Sequence, residues 1–91
     1  MGKEVVLFKS EEKADRARVV SFLRDLADKI EQNSVVLTQG GEQTAVDIPD
    51  NVELEVKFEE ETESSGKEFS LEVEIEWPEG GGGAAGGVGL A

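Results

Sequence analysis

The sequence has no cysteine and no histidine. Without cysteine there are no disulfides, no thiolate nucleophile and no sulfur-ligated zinc; without histidine there is no imidazole base and no His-type metal site. Basic residues are scarce too, with 9 Lys and Arg against 21 Asp and Glu, for a net charge of −12. That balance excludes a nucleic-acid grip based on phosphate neutralisation and disfavours binding to an anionic membrane. Long apolar runs are missing as well. The opening MGKEVVLFKS carries only Val5 to Phe8 in succession, too short for a signal-peptide core or a span, and Val6 stands where a myristoylation start wants Ser or Thr. A soluble, cytoplasmic protein is expected. At 91 residues the chain suits one domain, burying only roughly 60% of its unfolded surface and leaving little room for a deep pocket.

What is present is unevenly placed. Residues 1–33 balance seven acids with seven bases, whereas residues 52–77 hold ten Glu against Lys57 and Lys67, a net of −8. Two thirds of the charge therefore lies in one short stretch.

Glu4 to Lys9 is β-branched and aromatic and reads as a strand, with Ser10 as N-cap of a helix from about Glu11 to Gln32. Within that helix Val19, Val20, Phe22, Leu23, Leu26, Ala27 and Ile30 share one arc, which predicts a buried face opposite a wet one. Opposite charges at i,i+4 are expected to pair Glu12 with Arg16, Arg24 with Asp28 and Asp25 with Lys29. Asn33 can end the helix, after which Ser34 to Gln39 and Gln43 to Ile48 read as a hairpin about Gly40-Gly41. No helix follows those glycines, so they are a turn and not a phosphate loop.

The clearest pattern comes next. Val52, Leu54, Val56 and Phe58 alternate with Glu53, Glu55, Lys57 and Glu59; Phe69, Leu71, Val73, Ile75 and Trp77 alternate with Glu68, Ser70, Glu72, Glu74 and Glu76. In an antiparallel pair, opposed residues share a face, so even positions of one strand must meet odd positions of the other. One register that fits pairs Val52 with Trp77, Leu54 with Ile75, Val56 with Val73 and Phe58 with Leu71. On the other face it sets Lys57 against Glu72, Glu55 against Glu74 and Glu53 against Glu76.

The expected fold is α+β, in the order β-α-β-β-β-β, with a single amphipathic helix packed on one face of a mostly antiparallel five-stranded sheet. The place of the first strand, beside the last or beside the second, stays open. Residues 1–77 form the expected domain, and residues 78–91, dominated by Gly and Ala, a flexible tail. Gly86-Gly87 invites comparison with ubiquitin-like carriers, but four residues follow it, and that fold opens on a hairpin.

Like charges opposed on neighbouring strands destabilise a sheet, so the Glu rows need a reason. One is a halophile's surface, where molar salt cuts the Debye length to about 3 Å. Others are a hard-cation site, a docking surface for a basic partner, or paired-carboxylate catalysis, for which no cleft is in view. Trp77 either closes the end of the core or serves as a partly exposed anchor.

A short apolar strand, an SEE helix start, FLRDLADKIE, VVL, VDIP, VELEVKFE and LEVEIEW together resemble the Amphi-Trp domain, a small domain of archaea and bacteria common among haloarchaea. The resemblance covers residues 1 to about 78 and implies this fold and a halophilic, archaeal source; the family has no assigned activity, so it transfers no catalytic residues. The expected function is that of a non-enzymatic protein-interaction module with an unknown protein partner, no cofactor, no metal and no catalytic residue. Trp77, Glu53, Glu55, Glu72, Glu74 and Glu76 are the interaction candidates, and a sheet edge is a route to a homo-oligomer. The alternative is a divalent-cation or small-ligand binding protein using the Glu rows or a groove near Trp77.

Overall fold

The structure, a computed structural model, describes residues 2–80. They contain one helix, α1 (Arg16–Glu31), and four strands: β1 (Val35–Gln39), β2 (Glu42–Val46), β3 (Glu53–Glu63) and β4 (Gly66–Glu76). The class is α+β, but the strands form two separate antiparallel sheets, β1-β2 and β3-β4, and not the single five-stranded sheet expected. Two compact units divide the chain, Met1–Ile48 and Pro49–Ala91. The Gly-rich tail expected over residues 78–91 lies outside the described residues beyond Gly80.

The expected first strand does not form. Val5, Val6 and Leu7 are 71–81% exposed and belong to no sheet. A strand has no hydrogen bonds of its own, so β-branched composition yields one only where a neighbouring edge accepts it.

Helix α1 begins later than Ser10 implies. Asp15 is the N-cap: its Oδ1 accepts a hydrogen bond from the Arg18 backbone N–H at 2.8 Å. Ser10 and Asp15 are both capping types, and the one followed by RARVVSFLRDL prevails. Glu12, left outside the helix, pairs with Arg18 and not with Arg16; neither of the other two i,i+4 pairs forms an ion pair among the described residues. The C-terminus matches expectation. Asn33 takes φ 55°, the Asn33 N–H donates to the Ile30 carbonyl at 3.0 Å, and the Ser34 N–H reaches back to the Lys29 carbonyl at 2.9 Å. These two bonds make a Schellman stop and satisfy carbonyls the helix leaves free.

β1 follows after one residue. It pairs with β2 from Val35 opposite Val46 to Gln39 opposite Glu42, across Gly40 (φ 57°) and Gly41 (φ 91°). Consecutive positive φ values match the twist of a two-residue hairpin, which glycine adopts without a Cβ penalty. Val35 is the buried apolar residue of the first unit, at 7% exposure, with Leu26, Ile30, Leu37, Val46 and Ile48 partly covered. The buried helix face expected from the periodicity is only partly realised, because Val19, Val20, Phe22 and Leu23 are 40–53% exposed. After β2, Pro49 supplies no backbone donor and residues 47–52 lie in no strand, which interrupts the expected five-stranded sheet.

Asp15→Ala should remove the cap and cost helix α1 about 1 kcal/mol, whereas Ser10→Ala should leave it unchanged. Amide hydrogen exchange at Arg18 and Val19 reads the difference; equal effects of the two substitutions would place the helix start elsewhere.

Candidate functional site

The β3-β4 hairpin separates its two kinds of side chain completely along most of its length, and strand alternation alone does the sorting. β3 pairs with β4 from Glu53 opposite Glu76 to Glu63 opposite Gly66. Leu54 faces Ile75, Val56 faces Val73 and Phe58 faces Leu71, the register that the parity argument allowed. Val52 and Trp77, the outermost pair expected, lie one step beyond the ladder and are half-buried. The strands run further toward the turn than expected, so Glu60 comes opposite Phe69 and Thr62 opposite Lys67. Phe69 stacks on Phe58 with ring centroids 6.2 Å apart, and Lys67 Nζ reaches Glu60 Oε2 at 3.3 Å, closing the apolar row with an ion pair.

The opposite face collects Glu53, Glu55, Glu72, Glu74 and Glu76, the five acidic candidates. It sets Glu53 against Glu76 and Glu55 against Glu74. Trp77 does not join them, since its position has the parity of the apolar row. Lys57 is the cation of this face, with Nζ 3.7 Å from Glu72 and 3.9 Å from Glu59. Both pairs are exposed, so each stabilises weakly. Repulsion leaves its mark at Glu74, whose carboxyl is held above the ordinary carboxylate range. The charge of Glu76 is the main cause, followed by hydrogen bonding with Glu55 and then partial desolvation and the charges of Glu55 and Glu72.

A tighter group lies nearer the turn. Carboxylate oxygens of Glu61, Glu63 and Glu68 come within 4.8 Å of one another. Sequence reasoning passed over them because it ended the alternation at Glu59; carried to Ser64, the same parity puts Glu61 and Glu63 in the acidic row beside Glu68. Among the described residues, these three carboxylates lie close enough together to offer oxygens to one hard cation.

The first unit has a recess of its own, about 610 Å3, between residues 8–14, α1 and β1. Phe8, Val19, Phe22, Leu23, Val36 and Leu37 supply its apolar lining. Arg18 spans one side: its Nε and Nη2 meet Glu12 Oε2 and Oε1 at 3.1 and 3.2 Å, and its guanidinium lies 5.7 Å from the Phe22 ring centre. The hydrogen bond from Arg18 and its positive charge hold the Glu12 carboxyl below its usual range. The i,i+4 spacing of a helix that included Glu12 pointed to Arg16, and with Glu12 outside α1 that spacing no longer applies, which is why the pair was not legible beforehand.

These features define a small acidic α+β domain with a two-faced hairpin. The Amphi-Trp domain model matches residues 1–90, and the chain belongs to that family. No curated protein and no solved structure matches it. Among the described residues no helix is long and apolar enough to cross a membrane.

A raised carboxyl pKa means that the folded state binds the proton more tightly than the unfolded chain does. Stability from Glu74 is therefore gained as pH falls through the raised value and lost as pH rises above it. Glu74→Gln should raise the unfolding midpoint at neutral pH in low salt, and the advantage should shrink in acid and in molar KCl. A midpoint unchanged in low salt would mean that the opposed carboxylates do not strain the hairpin.

Proposed function

We propose that the chain is a non-enzymatic protein-interaction module of a halophile's cytoplasm. One observation carries this reading: a hairpin that gathers its apolar side chains on one face and a row of carboxylates on the other. Exposed contiguous apolar surface with a polar rim marks interaction sites. Leu54, Val56, Phe58, Phe69, Leu71 and Val73 are each 59–74% exposed. The acidic face supports the halophilic part, because opposed Glu pairs are tolerable where salt screens them over about 3 Å, the Debye length at 1 M. The same face keeps the domain hydrated and steers it from other acidic surfaces. The described carboxylates of this face are all exposed to water and not enclosed as acid–base catalysis prefers, which supports a role without catalysis.

A second reading is favoured by the Glu61, Glu63 and Glu68 group: a divalent cation held at the hairpin tip. Saturation separates the two, since screening depends on ionic strength whatever the ion, whereas a site fills at a defined concentration.

The unfolding midpoint should rise gradually across a KCl series and be the same in CaCl2 or MgCl2 at matched ionic strength. A saturating gain at low divalent concentration, lost in Glu61→Gln, would establish the cation site and displace the screening account of the acidic face.

A further inference from the structure

We draw no further inference here: the strongest candidate, the apolar recess between residues 8–14, α1 and β1, has its guanidinium, Arg18, already paired with Glu12, and nothing in the structure shows what covers it.

Discussion

Side chains in a strand alternate, and residues opposed across an antiparallel pair point the same way; the properties of this protein follow from that constraint. With apolar residues at even positions of β3 and odd positions of β4, only a register of matching parity places them together, and a slip by one residue would bury glutamates under phenylalanines. The register that gathers the apolar row therefore also forces Glu53 onto Glu76, Glu55 onto Glu74 and Glu61 onto Glu68. Like charges stand opposed because hydrophobic sorting outweighs exposed Coulomb repulsion, which is weak in water and weaker in salt. Lys57, between Glu59 and Glu72, interrupts the row at one place.

The same balance explains why charge and function are linked here. Burial of apolar surface is the main favourable term in folding and association, yet Val35 is the buried apolar residue among those described. Small domains have little interior to spend on both stability and a preformed pocket. A chain of this kind gains most by putting its apolar row against something else, and a carboxylate face keeps the remaining surface hydrated while that happens.

What was legible beforehand was whatever local chemistry decides alone. Alternation gave the parity of the β3-β4 register and the observed pairs as one fit to it, Gly40-Gly41 gave the first hairpin, and Asn33 gave the helix stop through its tolerance of positive φ. What was not legible depends on competition or on distant partners. Ser10 and Asp15 offer equivalent caps, and only the following turn selects between them. Val5 to Phe8 have strand chemistry without a strand, because pairing is a property of the neighbour and not of the segment. The break between β2 and β3 falls at Pro49, whose missing N–H cannot continue a ladder, but a proline at that place also suits a turn within one sheet. Of the site, the five Glu candidates fall together as expected; Glu61, Glu63 and the Arg18–Glu12 pair did not figure, the first two because the alternation was cut short.

Cross-strand NOEs in the isolated protein test the central claim most directly, since they read the register itself. The account predicts contacts of Leu54 with Ile75, Val56 with Val73 and Lys57 with Glu72, in low and high salt alike. Contacts of Val56 with Glu72 or Glu74 would contradict it, because the two faces would then mix apolar and acidic side chains.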